Sequence, residues 1–572
     1  MHSVEVFLLV AGAVAVTAVC RRRGWPGPLV LVAAAIVVSF VPAIPRFEIE
    51  PEILLDFVLP PLLYSAALSS SYRDFRTSLN SITRLGVGLV LVSAVVVALV
   101  FWWMEPGVPF LAALVLGAVV APPDAVAAAA VGKRLGLPRR VMTLLSGESL
   151  INDATSLTLY KVALAGVATG AWALADGLTI FALAVGAGVT VGLVIAFVVH
   201  MVRLRLDDPV VASAIGLLTP FAAYWSAEAL AGSGVLAVVA AGLYLGHTSP
   251  RAGYATRLYE EPIWSTVDLL LEAFTFALIG MQLPWVVRDV IASDQGLRHG
   301  IAVSLLVLVV AILVRPVYIV VTARFDHLRL RGSHRPPGDS LSPRESAVVS
   351  WAGMRGVVTL AAAAAIPITS AGEPFPERAT IQLAAYTVAI GTLLIQGLTL
   401  PWVIRRLGVG SADESVQDAA QEAAVRVATA DAVQEVLERQ REDWSAHLGP
   451  ERADELIERL SGVWRARATA AAVMLDPDSA DELLPDEPDP LAEASGLTGV
   501  MRQVSPSKVP TAEEGLRTQR LRREIVAAQR EVLMDRRDSG ELDEAVMRRM
   551  MRELDLEDES LSSSWVTRVQ RR

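Results

Sequence analysis

The feature that most constrains this chain is a series of apolar stretches that recur through its first 407 residues. Several are about 20 residues long, which is the length a helix needs to cross the hydrocarbon core of a bilayer. The hydrophobic share of 53% and the mean hydropathy of +0.47 are well above those of an average soluble domain. The sequence therefore predicts an all-α polytopic membrane protein with a membrane domain over residues 1–407.

The apolar stretches divide into thirteen predicted spans. Their approximate limits are 4–20, 28–44, 51–69, 83–103, 108–131, 139–168, 175–202, 209–231, 233–247, 263–287, 300–323, 345–369 and 380–404. Basic residues test this division, because loops on the cytoplasmic side carry an excess of arginine and lysine. Loops after odd-numbered spans hold most of them, beginning with Arg21 to Arg23, and this alternation places the N-terminus outside and the C-terminus in the cytoplasm.

The composition becomes charged and helix-favouring after the last span. We predict a cytoplasmic helical tail at 408–475, an acidic proline-rich linker at 476–510 that lacks the apolar residues for a core, and a helical segment at 511–572. The expected tail helices, 413–445, 450–474 and 512–556, carry Glu/Arg pairs typical of solvated helices that regulate or stabilise. The tail has no nucleic-acid motif, and the single cysteine excludes a disulfide framework.

The sequence GESLINDATSLTLY places acids inside the sixth span, where an ionisable side chain indicates a functional site. Helical spacing groups four polar residues on one face: Ser149, Asn152, Asp153 and Ser156. Glu148 points into a different neighbourhood. Asp153 and Ser149 offer the oxygen ligands that a hard monovalent cation prefers. The alternatives are a structural acid at Asp153 and a serine that bonds to its own helix at Ser149.

Two spans are predicted to be interrupted. The fifth contains Ala121, Pro122, Pro123 and Asp124, and its adjacent prolines remove two main-chain donors and leave carbonyls unpaired. The twelfth contains Gly353 and Gly356 on either side of Arg355. If spans 1–6 and 8–13 are inverted repeats, the interruptions occupy corresponding positions, which is typical of a transporter's binding site. Two unrelated kinks are the alternative.

Other ionisable residues lie within the predicted spans. Glu272 in span 10 and Arg315 in span 11 have matching depths, so we expect them to form an ion pair. A structural role is favoured for this pair, and a role in transport is the alternative.

The motifs GESLINDAT, APPDAVAA, LPPLLYSAA, WAGMRGVVTLA and LIQGLTLP together resemble the monovalent cation:proton antiporter family of the bacterial NhaP-type proteins and the eukaryotic Na+/H+ exchangers. The resemblance implies about thirteen transmembrane helices in two inverted repeats, with two crossed, broken helices. It also implies a homodimer in the bacterial inner (plasma) membrane that works by alternating access.

The resemblance also assigns roles to residues. It implies that Asp153 binds cation or proton with Ser149 and Asn152 nearby, that Glu148 pairs with Arg355, and that Asp124 balances charge.

Two positions depart from the family pattern. Many relatives have threonine where this chain has Pro123, and an acid where it has Ser65. The preferred cation is therefore left open between Na+, K+ and Li+.

A carboxylate that holds either a proton or a cation, but not both, couples the two movements. We therefore expect electroneutral exchange of one cation for one proton at Asp153, with Asp124 and Arg355 balanced by the broken helix ends. The bilayer and the transported ions are the expected partners, with no cofactor, enzymatic activity or nucleic acid. The alternatives are a cation channel or sensor with a vestigial transport core and, more remotely, an intramembrane aspartyl protease using Asp124 and Asp153.

Overall fold

The structure, a computed structural model, describes residues 3–41, 54–169, 174–206, 208–293, 295–329, 341–370, 372–410, 412–475 and 512–562. The chain divides into two compact units. The first comprises Met1–Ser249 and Tyr259–Ser411, and the second comprises Pro250–Leu258 and Ala412–Arg572.

The first unit is built almost entirely of helices, and those of residues 3–169 come first. Its elements are α1 Ser3–Arg23, α2 Gly27–Ser39, a π-helical turn Leu54–Val58, α3 Leu59–Ser69, α4 Tyr72–Thr77, α5 Leu79–Thr83, a π-helical turn Arg84–Leu89, α6 Val90–Met104, α7 Phe110–Val120, α8 Ala125–Leu135 and α9 Arg139–Thr169. The elements that follow are α10 Leu174–Arg203, α11 Pro209–Ala229, α12 Gly234–Thr248, a 3₁₀ turn Ser249–Arg251, α13 Tyr254–Ile291, α14 Gly296–Arg329, α15 Pro343–Trp351, α16 Val357–Ala364, α17 Arg378–Thr392, a π-helical turn Leu393–Gly397 and α18 Leu398–Leu407. The segment Pro250–Leu258, which includes the start of α13, belongs to the second unit. Strands β1 Thr369–Ser370 and β2 Glu373–Pro374 pair antiparallel between α16 and α17, with Thr369 opposite Pro374.

Every predicted span coincides, in the described ranges, with one helix or with two or three consecutive helical pieces. Six helical stretches there are long and apolar enough to cross a membrane by length and composition: Leu79–Met104, Phe181–Arg203, Pro209–Ala229, Tyr254–Ile291, Gly296–Phe325 and Arg378–Leu407. The other stretches are shorter, broken or, like α9, interrupted by polar residues. The prediction of an all-helical membrane fold with two broken helices is confirmed.

Close helix packing in the first unit depends on residues without large side chains. Gly117 of α7 lies against the main chain of Ala94 in α6, and a Cβ at position 117 would overlap the Ala94 carbonyl. Gly192 of α10 lies in the same way against Ala237 of α12. Small residues allow main chains to approach, which is how helices associate where lipid offers no hydrophobic driving force. These contacts fix α7, the first half of one broken helix, against α6.

Within the ranges 412–475 and 512–562, the second unit contains four helices: α19 Ala412–Leu448, α20 Pro450–Leu475, α21 Ala512–Ser539 and α22 Glu544–Ser562. They bury two apolar clusters, one around Val433, Leu460 and Ile525 and the other around Val526 and Met547. The tail is therefore a packed helical bundle rather than a set of fully solvated helices. The helix expected over 512–556 is divided into α21 and α22 by a turn at Gly540, whose φ is +90°. The predicted linker at 476–510 lies outside the described residues.

An ion-pair network lies within the second unit. Arg257, in the first turn of α13, binds both carboxylate oxygens of Asp555 in α22. Arg530 of α21 binds the same aspartate at 2.8 Å and Asp558 at 2.6 Å. Asp555 is buried, so two arginines neutralise a carboxylate that would be costly alone. The network attaches the segment Pro250–Leu258 to the tail helices.

Candidate functional site

The first helix break follows directly from two prolines. In an uninterrupted helix, the carbonyls of Ala118 and Val119 would accept hydrogen bonds from residues 122 and 123, but Pro122 and Pro123 have no N–H group. The structure ends α7 at Val120 and begins α8 at Ala125. Ser156, on α9, donates a hydrogen bond of 2.8 Å to the Ala118 carbonyl. A side chain of the neighbouring helix therefore replaces one missing main-chain donor.

The second break, between α15 and α16, joins the first through main-chain and side-chain hydrogen bonds. The N–H group of Asp124 donates to the Met354 carbonyl at 2.5 Å instead of continuing its own helix. The Val120 carbonyl accepts a hydrogen bond of 3.1 Å from Nε of Arg355. Another guanidinium nitrogen of Arg355 donates to the Gly353 carbonyl. Each break thus satisfies groups that the other leaves free, and the two broken helices meet at their interruptions.

The charged residues of the two breaks lie at helix ends of opposite sign. The carboxylate of Asp124 lies against Gly356, at the N-terminal end of α16, where a Cβ on residue 356 would overlap it. The guanidinium of Arg355 lies at the C-terminal end of α7, where it binds the Val120 carbonyl. A helix N-terminus favours a negative charge and a C-terminus favours a positive one. Asp124 and Arg355 each have a compensating helix end.

The polar face of α9 lies next to the first break. Asn152 donates from Nδ2 to the Pro123 carbonyl at 2.9 Å, while its Oδ1 is buried without a hydrogen-bond partner. Asp153 is 5% exposed, and its carboxylate has no hydrogen-bond or ion-pair partner among the described residues. The half-buried Ser149 hydroxyl likewise has no hydrogen-bond partner among the described residues. The structure therefore gathers Asp124, Asn152, Asp153 and the main chain at Pro123 in one region.

Glu148 pairs with a different arginine from the one expected. Both terminal guanidinium nitrogens of Arg315 donate to its carboxylate, one of them at 2.7 Å, and the side chains of Glu148 and Arg315 are 1% and 2% exposed. Nε of Arg315 donates to the Val349 carbonyl at 2.8 Å. The predicted Glu148–Arg355 pair is wrong, because the carbonyls freed at the breaks take the donors of Arg355. The predicted Glu272–Arg315 pair is also wrong, because the guanidinium of Arg315 binds Glu148 and the Val349 carbonyl.

A functional candidate that the sequence analysis missed lies on α13. Ser65 donates a hydrogen bond of 2.5 Å to Oδ2 of Asp268, and Oδ1 of Asp268 is buried without a partner. Glu272, one turn further along α13, lies within electrostatic range of Asp124, Asp268 and Arg21. The chain thus places a carboxylate beside Ser65 from another helix. The sequence signal for these acids is their position one turn apart in the apolar stretch between Glu261 and Arg288, although the contact with Ser65 could not be read from it.

Two further groups at the second break were also missed. The Thr392 hydroxyl accepts a hydrogen bond of 2.9 Å from the Arg355 N–H group. Gln396, in the π-helical turn Leu393–Gly397, is fully buried, and its amide has no partner within the described residues. A π-helical turn inside a longer helix frequently marks a functional region. The motif LIQGLTLP, which contains Gln396, therefore forms a π-helical turn close to the second break.

No group of three or more His, Cys, Asp or Glu side chains among the described residues converges as a metal site. Asp153 and Asp124 lie within electrostatic range of each other, and the amide oxygen of Asn152 is close to the same break. This arrangement offers a cation the carboxylate of Asp153, with the charged oxygens of Asp124 and the neutral amide oxygen of Asn152 nearby.

Comparisons with known proteins agree with this architecture. A family model described as the transmembrane sodium/hydrogen exchanger matches residues 7–406. An uncharacterized Na+/H+ exchanger of Mycobacterium tuberculosis is 32% identical over 563 residues, which cover 98% of this chain and 96% of that protein. A sodium, potassium, lithium and rubidium/H+ antiporter of Bacillus subtilis is 30% identical over 389 residues, which cover 66% of this chain and 57% of that protein.

The fold has a counterpart among solved structures. The sodium proton antiporter MjNhaP1 of Methanocaldococcus jannaschii superimposes with a TM-score of 0.56 and 20% identity, covering 70% of this chain and 97% of that one. At that identity the likeness shows the fold alone. The family model covers nearly the whole membrane domain, and the mycobacterial relative extends the match through the tail. The chain therefore belongs to the sodium/hydrogen exchanger family, a family of transporters.

Proposed function

We propose that this protein exchanges a monovalent cation for a proton across the membrane, with both ions competing for Asp153. The proposal is based on the surroundings of the Asp153 carboxylate. It is buried at a meeting point of two broken helices and has no hydrogen-bond or ion-pair partner among the described residues. A buried carboxylate without a partner is unstable as an anion. It therefore takes up either a proton or a cation.

The surrounding charges support one titrating group in the site. Glu148 is neutralised by Arg315, while Asp124 and Arg355 are compensated by helix ends of opposite sign. Asn152 adds an oxygen without adding a charge. Binding one cation at Asp153 then displaces one proton, so exchange is obligatory and electroneutral.

The oxygen atoms around Asp153 suit an alkali cation. The free Oδ1 of Asn152 and the Ser149 hydroxyl supply neutral oxygens of the kind that hard cations prefer. Main-chain carbonyls at Ala121 to Pro123 add further candidates, since the prolines leave this backbone outside a regular helix. We propose Na+ as cargo, with K+ and Li+ as further candidates. The name of the Bacillus relative, which includes sodium, potassium and lithium, supports this range.

Alternating access would expose this site to each side in turn. The excess of basic residues in loops after odd-numbered spans supports an outside N-terminus and a cytoplasmic tail. We further propose a homodimer in the bacterial plasma membrane, on the basis of the NhaP-like fold. No resident cofactor is part of the mechanism, and the cation and proton are its substrates.

Reconstituted vesicles test the exchange directly. Wild type and Asp153→Asn are placed in liposomes that contain a pH-sensitive dye, and the internal pH is recorded after Na+, K+ or Li+ is added outside. Asp208→Asn, the same chemical change at an exposed helix N-cap, is the matched control. We expect cation-dependent proton efflux in wild type and the control, and none in Asp153→Asn.

The other outcomes select the alternatives. Cation flux without proton movement would indicate a channel, and the absence of both would indicate a sensor. Proton efflux that persists in Asp153→Asn would contradict the assignment of the site. A current proportional to turnover on a supported membrane would contradict electroneutral exchange.

A further inference from the structure

Asp268 is a half-buried acid that the proposed exchange step at Asp153 does not use. Its Oδ2 accepts the 2.5 Å hydrogen bond from Ser65, and this bond fixes the orientation of the carboxylate. Its Oδ1 is shielded from solvent and has no hydrogen-bond partner in the described part of the chain. An oriented carboxylate with one unsatisfied buried oxygen is costly to maintain without a ligand.

Asp268 is connected to the central site through other acids. Glu272 lies within electrostatic range of both Asp268 and Asp124, and Asp124 lies within range of Asp153. Asp153 is more than nine-tenths buried, with no side-chain partner in the described ranges. No three of these acids surround a common point. These acids are therefore not the ligands of one ion, and their pairwise electrostatic proximity arranges them as a path in the order Asp268, Glu272, Asp124 and Asp153.

The helices give this path a direction. Asp153 lies near the midpoint of α9, and Glu272 lies near the midpoint of α13. Asp268 precedes Glu272 by one turn, about 6 Å along the axis, and therefore lies nearer the start of α13. That start is the cytoplasmic end in the orientation proposed above. Ser65 is correspondingly close to the end of α3, at Ser69, on the same side.

We propose that Asp268, oriented by Ser65, binds the alkali cation on the cytoplasmic access path before the cation reaches Asp153. Glu272 is the next position inward, where the nearby Arg21 offsets part of its charge. A carboxylate in a narrow path raises the local cation concentration and the rate of association. This inference rests on the proposed exchange function and concerns the capture of the cation, not its coupling to the proton.

The test separates capture from turnover. Exchange is measured in everted membrane vesicles, whose outer surface is the cytoplasmic face, over a range of Na+ and K+ concentrations. For Asp268→Asn we expect the rate at limiting cation to fall about tenfold, while the rate at saturating cation stays close to wild type. Glu261→Gln is the matched control, because it removes an exposed carboxylate near the cytoplasmic end of the same helix.

A variant that exchanges the residues at positions 65 and 268 tests whether the loss of rate in Asp268→Asn is caused by structural damage alone. Because Ser65 and Asp268 are in direct hydrogen-bond contact, the double change Ser65→Asp with Asp268→Ser moves the carboxylate across that bond. We expect it to recover most of the lost rate at limiting cation, whereas Ser65→Ala with Asp268→Ser should not.

The inference is overturned if Asp268→Asn behaves as wild type at limiting cation. It is also overturned if Asp268→Asn loses rate equally at all concentrations and the reciprocal variant does not recover it. Neither result affects the exchange proposal, which depends on the separate loss of proton movement in Asp153→Asn.

Discussion

The buried pair of Glu148 and Arg315 gives the most quantitative prediction. Replacing Arg315 with methionine keeps the length of the side chain but leaves the Glu148 carboxylate buried without its partner. Breaking such a pair costs about 3–5 kcal/mol. The Val349 carbonyl also loses its donor, which adds about 1–3 kcal/mol. We expect Arg315→Met to lower the free energy of unfolding by about 5 kcal/mol.

A double-mutant cycle isolates the ion pair from this total. Glu148→Gln removes the negative charge, so adding it to Arg315→Met should recover much of the lost stability. The coupling free energy between positions 148 and 315 should be at least about 3 kcal/mol. The parallel cycle with Arg355→Met should give less than about 1 kcal/mol, because Arg355 binds carbonyls instead.

The assay is a titration of purified protein in mixed detergent micelles with sodium dodecyl sulfate. Unfolding is followed by the fluorescence of the 12 tryptophans, and none of the substitutions changes their number. A larger coupling with Arg355 than with Arg315 would refute the pairing and support the pair expected from the family resemblance.

Three further substitutions test other contacts. Gly356→Ala should abolish exchange while the protein still inserts in the membrane, because the new Cβ overlaps the Asp124 carboxylate; retained activity in the vesicle assay would contradict this. Ser156→Ala should cost about 1–3 kcal/mol in the same detergent titration, because a carbonyl of α7 loses its donor; Thr at this position should restore most of it. Asp555→Ala should increase hydrogen exchange in Pro250–Leu258, because Arg257 loses its carboxylate partner; unchanged protection would count against the network.

The positions of the helices could be read from the sequence, because the requirement for apolar residues over a span is strict. The two broken helices were also predictable. Pro122 and Pro123 cannot support a regular helix, and the glycines around Arg355 weaken one. The packed core of the tail was less evident, because its apolar residues are interspersed with many charges. Val433 and Ile525 belong to one apolar cluster despite a long sequence separation, which helical spacing alone does not reveal.

The partners of the buried charges could not be predicted as well as the helices. Arg315 and Arg355 are both buried arginines within reach of Glu148, and sequence cannot rank them without the angle between helices. The choice is decided by carbonyls that the breaks leave unpaired, since these take the donors of Arg355. Asp268 was overlooked for a similar reason. Its link to Ser65 joins positions 203 residues apart.

The central claim is that cation and proton compete for the single carboxylate of Asp153. The most direct test is the cation concentration that gives half-maximal exchange, measured in proteoliposomes at several values of symmetrical pH. Competition predicts that this concentration rises as the pH falls, approaching about tenfold for each pH unit at acidic pH, while the maximal rate at saturating cation is retained. A half-saturating concentration that is independent of pH would contradict the account.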